Sequence, residues 1–216
     1  MIPTMIPALR LLFVLLVAYP IVWGWLGLAI QGAERLPRQG PAILVANHNS
    51  HIDILVLLTL LSWPAMLAAR PAAAADYFLR NRALAWLATR VIGILPVARG
   101  TAGRHHDPLA GCREALAAGQ ILILFPEGTR GDPERLSQLK SGLWYLGRDF
   151  PTVPIVPIFL HGLGRSLAKG QWIPLPIFVD VLVDLPLPWD ADRHAFKEAL
   201  AGRFLALQAH ATRPLY

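Results

Sequence analysis

The longest apolar run comes first in the chain. Between Leu11 and Ala33 no residue is charged, and the core of the run, LLFVLLVAYPIVWGWLGLAI, is 20 residues long. As a helix that is about 30 Å, the thickness of a bilayer's hydrocarbon core. Tyr19, Trp23 and Trp25 suit a membrane interface. Pro20 predicts a kink, into two shorter legs that enter one leaflet and return. A signal peptide is the competing reading; it is weakened by an apolar region longer than the usual span of about 7 to 15 residues and by the lack of an A-x-A cleavage site. Arg10 precedes the run while Arg35 and Arg38 follow it, so charge leaves the orientation open.

Beyond this leader the pattern shortens and alternates. Pro41 to Ala46 reads as a buried strand ending in a polar loop, and Ile52 to Leu61 as a helix stopped by Pro64. Asp76 to Val91 alternates like an amphipathic helix, and Ile94 to Val97 is a short β-branched strand. Asp107-Pro108 opens a helix that Gly119 ends. Gln120 to Phe125 (QILILF) is the clearest central strand. Val153 to Leu160 and Ile177 to Leu182 are two more, their prolines favouring edges or strand ends. Asp192 to Ala211 closes the chain as a helix. Strands that alternate with helices predict an α/β fold: a mixed, largely parallel sheet covered by helices, with an N-terminal membrane-embedded helical segment. The division expected is a leader over 1–34 and a catalytic domain over 35–216.

Composition sharpens the membrane reading. The 216 residues are 55% hydrophobic and 16% charged, with a mean hydropathy of +0.45; soluble domains are nearer to about 25% charged. The basic excess, 20 Lys+Arg against 14 Asp+Glu, is dispersed. It fits anionic membrane or phosphorylated substrates; nothing resembles an aromatic-interleaved basic strand or a recognition helix, so no nucleic-acid partner is expected. The one cysteine, Cys112, excludes an intrachain disulfide and a multi-cysteine metal site.

Candidate chemistry gathers in short motifs. In Asn47-His48-Asn49-Ser50-His51-Ile52-Asp53, His48 and Asp53 would lie roughly 140° apart on one regular helix and could not touch. Ser50 followed by Asp53 reads as a capping pair, with the helix starting at His51. His48 then sits in the preceding loop, able to fold back on Asp53. A carboxylate on one imidazole nitrogen sets the tautomer and leaves the other free to accept a proton. That is a dyad without a serine, suited to a hydroxyl brought by the substrate. Taken alone, a loop histidine and a helix-capping aspartate would carry the same letters. In Phe125-Pro126-Glu127-Gly128-Thr129-Arg130, directly after the QILILF strand, Gly128 allows close approach to a ligand. Thr129 and Arg130 are phosphate partners, and Glu127 accepts from a substrate hydroxyl or a neighbouring arginine. Ligands of open α/β sheets collect at this end of the strands. A third stretch, Ile94 to Gly100, delivers Arg99 beside a glycine. The fourth, Val153 to Ile158, is packing or the lining of an acyl-chain slot.

Four motifs in order, Asn-His-x4-Asp, Gly-x-x-Pro-Val-x-Arg (Gly93 to Arg99), Phe-Pro-Glu-Gly-Thr-Arg and Val-Pro-Ile-Val-Pro, resemble the lysophosphatidate (1-acyl-glycerol-3-phosphate) acyltransferase group of the glycerolipid acyltransferases. The resemblance covers roughly Pro41 to Leu160. It implies that His48 is the general base and Asp53 its partner. It also implies that Arg99, Glu127, Gly128, Thr129 and Arg130 hold the acceptor's glycerol phosphate, with Lys140 as the lysine that follows the Glu-Gly-Thr-Arg motif. Pro96, Ala98 and Gly100 depart from the aromatic and second basic residue frequent around the Arg99 motif. Arg70-Pro71-Ala72-Ala73-Ala74-Ala75-Asp76 replaces a more polar segment. Both departures bear on the identity of the acceptor.

The activity expected is transfer of a fatty acyl group from acyl-CoA or an acyl carrier protein to a lysophospholipid hydroxyl, most directly that of 1-acyl-glycerol 3-phosphate. No cofactor or metal is expected, the partner surface is a phospholipid membrane, and the location is the cytoplasmic face of a bacterial inner membrane. The rivals are glycerol 3-phosphate or a lyso-aminolipid as acceptor, a non-catalytic lipid-binding protein, and a metal-dependent membrane hydrolase. That hydrolase would begin its site with His48, His51 and Asp53 and complete it with His105 and His106.

Overall fold

A computed structural model describes residues 5–78, 81–98, 107–129, 137–166 and 175–211. Its centre is a seven-stranded sheet: β1 (Gly27–Gln31), β2 (Ala42–Ala46), β3 (Ala69–Ala74), β4 (Leu95–Val97), β5 (Ile121–Leu124), β6 (Ile155–His161) and β7 (Phe178–Val183). The strand order is β1-β7-β6-β2-β5-β3-β4. Among the described residues, only the β6–β7 pair of strands is antiparallel; the other neighbours run parallel. The expected mixed, largely parallel sheet is therefore present. β2 lies in the middle with all five side chains buried, as a strand covered on both faces requires. One face of the sheet packs Leu44, Ala46, Ile123 and Ile158 with apolar residues of the first helices. The other packs Ile43, Val45 and Phe159 against the later helices.

The leader departs from its expectation. α1 spans Pro7–Trp25 as one 19-residue helix, with π-helical turns at Val14–Ala18 and Pro20–Trp25. Those wide turns absorb the missing N–H of Pro20, so the helix continues where two legs were expected. It ends sooner than its apolar run. Leu26 is extended (φ −97°, ψ 144°), and Gly27–Gln31 pairs with β7. The sheet therefore begins inside the leader, before the boundary expected at residues 34 and 35. Val14, Ala18, Val22 and Leu26 are buried in the core under the sheet, whereas Leu12, Leu15, Leu16, Trp23 and Trp25 face outward.

Other differences have local causes. Pro64 does not merely stop α2 (Ile52–Leu60); it lies in the first turn of α3 (Trp63–Ala68), where its missing N–H costs nothing. The helix expected over residues 76–91 is interrupted. α4 (Ala75–Phe78) is followed by α5 (Arg82–Trp86), capped by Asn81 and prolonged as π-helical turns through Leu87–Ile92. β6 is interior rather than at an edge. Pro157 tolerates this because its backbone faces β7, its carbonyl accepting from the Asp184 N–H (2.9 Å) just where that ladder ends. α6 (Ala110–Ala117), α7 (Gly142–Asp149), α8 (Leu163–Ser166), α9 (Arg193–Ala209) and a short 3-10 turn at Ala33–Arg35 complete the described elements.

Candidate active site

The site forms where β2 and β5, parallel and adjacent, both end. β2 delivers Asn47 to Ser50, and β5 delivers Phe125 to Thr129. Asn47 leaves the central strand by imitating one more rung of it. Its Nδ2 donates to the Leu160 carbonyl (2.9 Å) and its Oδ1 accepts from the Leu160 N–H (2.7 Å). Asn49 Nδ2 donates to the same carbonyl (2.8 Å). Two side chains thus pin the loop that carries His48 to β6.

His48 itself is held from three directions. Its Nδ1 lies 2.8 Å from Asp53 Oδ2. Its ring stacks on Phe125, centroids 4.2 Å apart, and its N–H donates to Glu127 Oε1 (3.0 Å). The imidazole keeps 18% of its surface exposed, while Asp53 is fully buried. The capping pair forms in part. Asp53 Oδ2 accepts from the N–H groups of Asn49 (2.7 Å) and Ser50 (2.9 Å), and the helix proper begins at Ile52 rather than His51. Burial pushes the Asp53 carboxyl up; the bonds from His48, Ser50 and Asn49 pull it down but do not cancel burial. With Nδ1 occupied by the carboxylate, Nε2 is the nitrogen left to take a proton.

β5 ends in a turn closed by the Gly128 N–H on the Phe125 carbonyl (3.0 Å). Gly128 has φ +70°, a left-handed conformation that favours glycine. A Cβ there would lie 2.7 Å from Lys140 Nζ, so the lysine stem lies across this glycine. The Lys140 N–H donates to the Pro126 carbonyl (2.8 Å). The outcome is an exposed ammonium beside exposed Thr129, at the same strand end as His48.

The partly exposed imidazole and its buried carboxylate both fall within residues 27–161, the stretch matched by the sequence model of one family, described as Acyltransferase. The chain belongs to the acyltransferase family. Among relatives, a chloroplastic 1-acyl-sn-glycerol-3-phosphate acyltransferase of Brassica napus is 32% identical over 150 residues, 66% of this chain and 39% of that protein. A 1-acyl-sn-glycerol-3-phosphate acyltransferase alpha of Homo sapiens is 25% identical over 148 residues, 66% of this chain and 48% of that protein. The matched region thus spans less than half the length of these relatives. Among solved structures, the 1-acyl-sn-glycerophosphate acyltransferase of Thermotoga maritima superposes with a TM-score of 0.68 at 21% identity, over 90% of this chain and 76% of that one. At that identity the likeness concerns the fold.

Within this acyltransferase-family chain, the structure brings together His48, Asp53, Glu127, Gly128, Thr129 and Lys140. Arg99 and Arg130 lie outside the described residues, as do His105 and His106. Glu127 is buried, and its oxygens accept from protein groups: Oε1 from the His48 N–H, Oε2 from the Ser137 N–H (3.0 Å) and Oγ–H (2.7 Å). Val153 to Ile158 borders no groove found among the described residues. Its strand residues are packed on both faces of the sheet. An apolar groove of about 250 Å³ lies elsewhere, between α1 and the Trp86–Val91 turns. Four contributors carried no assigned role in the sequence: Asn47, Asn49, Phe125 and Ser137. For the asparagines, polar side chains just past a buried strand were a usable signal. Ser137 had none.

Proposed function

We propose that this chain transfers a fatty acyl group from an acyl thioester to the free hydroxyl of a lysophospholipid, with 1-acyl-glycerol 3-phosphate as acceptor and phosphatidic acid as product. The observation that carries this reading is the His48–Asp53 pair, with Nδ1 bonded and Nε2 left over. His48 Nε2 takes the acceptor's hydroxyl proton as that oxygen attacks the thioester carbonyl. The tetrahedral oxyanion collapses, the carbon–sulfur bond breaks, and the thiolate leaves. The nucleophile comes with the acceptor, so the step needs no acyl-enzyme and no cofactor. General-base help of this kind contributes about 10² to 10⁴-fold. Lys140 and Thr129, exposed at the strand end that carries His48, are read as partners of the acceptor phosphate, with Arg99 and Arg130 assigned to it by motif.

The acceptor and the thioester are both amphiphiles, and α1 supplies the surface they need. Its inner face is packed in the protein core along its length, so lipid can reach only its outer face. That face carries Leu16 at 66% exposure, with Trp23 and Trp25 half exposed. A helix so held lies along one leaflet with the catalytic domain beside it. The cytoplasmic face of a bacterial inner membrane, where acyl thioesters are made, is the location proposed.

The test is an acyl-transfer assay on purified protein that crosses acyl-CoA and acyl carrier protein donors with 1-acyl-glycerol 3-phosphate, glycerol 3-phosphate and a lyso-aminolipid. Phosphatidic acid from the first acceptor, with either donor, is the expected product. Turnover of another acceptor alone would redirect the assignment, and turnover of none would end it.

A further inference from the structure

Glu127 falls within the motif that the resemblance assigns to acceptor binding, yet its carboxylate points inward. Both oxygens are engaged by protein donors: Oε1 by the His48 main chain and Oε2 by the Ser137 main chain and hydroxyl. The carboxylate is buried, and three of its roughly four acceptor positions are already taken by these protein donors. Asp53 fixes the imidazole ring of His48 and Glu127 fixes its backbone. Ser137 in turn sets the orientation of Glu127, because a carboxylate held at one oxygen can still swing about its last torsion, whereas one held at both cannot.

We propose that Ser137 and Glu127 form a positioning bracket for the catalytic base, in which Ser137 orients the Glu127 carboxylate and Glu127 clamps the His48 N–H. This rests on His48 being the base of the proposed transfer. Ser137 thereby gains a role ten residues beyond Glu127, on a segment that also ties back to the turn after β5 through the Lys140 N–H on Pro126.

The bracket predicts a kinetic split that an acceptor ligand would not give. Ser137→Ala removes the hydroxyl bond and keeps the N–H bond. It should lower kcat about fivefold to tenfold, the size of one hydrogen bond lost, with the acceptor KM unchanged within about twofold. Ser137→Thr, which restores a hydroxyl, should recover most of the loss. Glu127→Gln keeps an oxygen for His48 but turns an N–H₂ toward the Ser137 N–H. It should show the same split with a larger fall, and adding Ser137→Ala to it should cost less than in the wild type. A second readout does not need turnover. Amide hydrogen exchange in the segment carrying His48 should quicken about fivefold in Ser137→Ala, since that N–H relies on an oriented carboxylate. A raised acceptor KM at constant kcat in either single variant would overturn the proposal. So would unchanged kcat and unchanged exchange in Ser137→Ala. If wild-type protein transfers no acyl group, the function fails while the exchange measurement still judges the bracket.

Discussion

The two ends of the sheet both bury charge, and they handle it differently. At the end where the parallel strands finish, Asp53 and Glu127 place their oxygens against the N–H groups of His48, Asn49, Ser50 and Ser137, and against one imidazole nitrogen. At the opposite end, where β3 and β4 begin, Arg10 and Arg70 are buried beside one another. Arg10 Nη1 donates to the Ala69 carbonyl (2.7 Å) and Arg70 Nε to the Gly93 carbonyl (2.8 Å). Ala69 and Gly93 are the C-caps of α3 and of the Leu87–Ile92 turns, so each guanidinium meets the negative end of a helix. In both places the backbone supplies the counter-charge. The difference lies in what the bonds achieve. The carboxylates converge on one residue and leave its Nε2 available at a partly open surface. The guanidiniums close off helix ends, and Arg10 keeps Nε and Nη2 buried without a partner among the described residues. Buried charge therefore marks a reacting group only where the surrounding bonds fix a side chain that still has a spare atom facing outward.

The largest test of that distinction is at His48. His48→Ala should lose about 10² to 10⁴-fold in kcat while circular dichroism and thermal melting show a retained fold. Near-normal turnover would place the chemistry elsewhere and dissolve the contrast between the ends.

Asp53→Asn follows in size. Asparagine can still accept from Asn49 and Ser50 but does not hold the imidazole as a carboxylate does, so kcat should fall by up to about 10⁴-fold. Stability should move the other way. Because burial raises the Asp53 pKa in the folded state, this group contributes most to stability below the ordinary carboxylate range. It loses that contribution as pH rises through the raised folded value. The variant escapes the loss. Its Tm should therefore match or exceed that of the wild type at neutral pH, with the gap closing on acidification. A gap that widens toward acid would show that the carboxylate is held down, not up.

Gly128→Ala is a smaller perturbation at the same end. The φ of +70° strains any other residue by about 1 kcal/mol, and the new methyl meets the Lys140 stem. A severalfold rise in acceptor KM, with kcat less affected, is expected from a displaced ammonium. A fall in kcat alone would mean that the turn serves His48 rather than the acceptor.

Much of this contrast was legible in the residues, and the rest was hidden for identifiable reasons. The central strands β2 and β5 announce themselves as unbroken apolar runs between polar clusters, and the Ser50–Asp53 spacing was enough to fold His48 back on its carboxylate. β3 was missed because an alanine run has no alternation and is a good helix former; its pairing with β4 and β5 decides its state. α7 was missed because two of its eight residues, Gly142 and Gly147, are poor helix formers. β1 hid inside the leader because an apolar run does not say where a helix gives way to a strand; only the partner β7 does. For Glu127, read as accepting from a substrate hydroxyl or a neighbouring arginine, motif position could not show that His48 and Ser137 donate to it. Its partner Ser137 lies ten residues on, across a distance only folding closes.

The base end yields the smallest effect and the sharpest sign. Arg10→Met keeps the stem's packing volume and removes a guanidinium that makes one backbone bond to Ala69 and one contact to the Met5 sulfur (2.6 Å), with two nitrogens unpartnered. Losing the Ala69 bond costs about 1 kcal/mol net, rising to about 3 if that carbonyl is left bare. Against it stands the desolvation of a buried cation next to Arg70, several kcal/mol per ion in real proteins. The second quantity is the larger, so Arg10→Met should melt at or slightly above the wild-type temperature, with kcat and acceptor KM unchanged. Arg10→Ala, which also opens a cavity, should melt lower. If Arg10→Met melts several degrees lower as well, the helix-end bond outweighs desolvation. If it instead loses turnover at full stability, the base of the sheet is coupled to His48, and the two ends are not the separate devices described above.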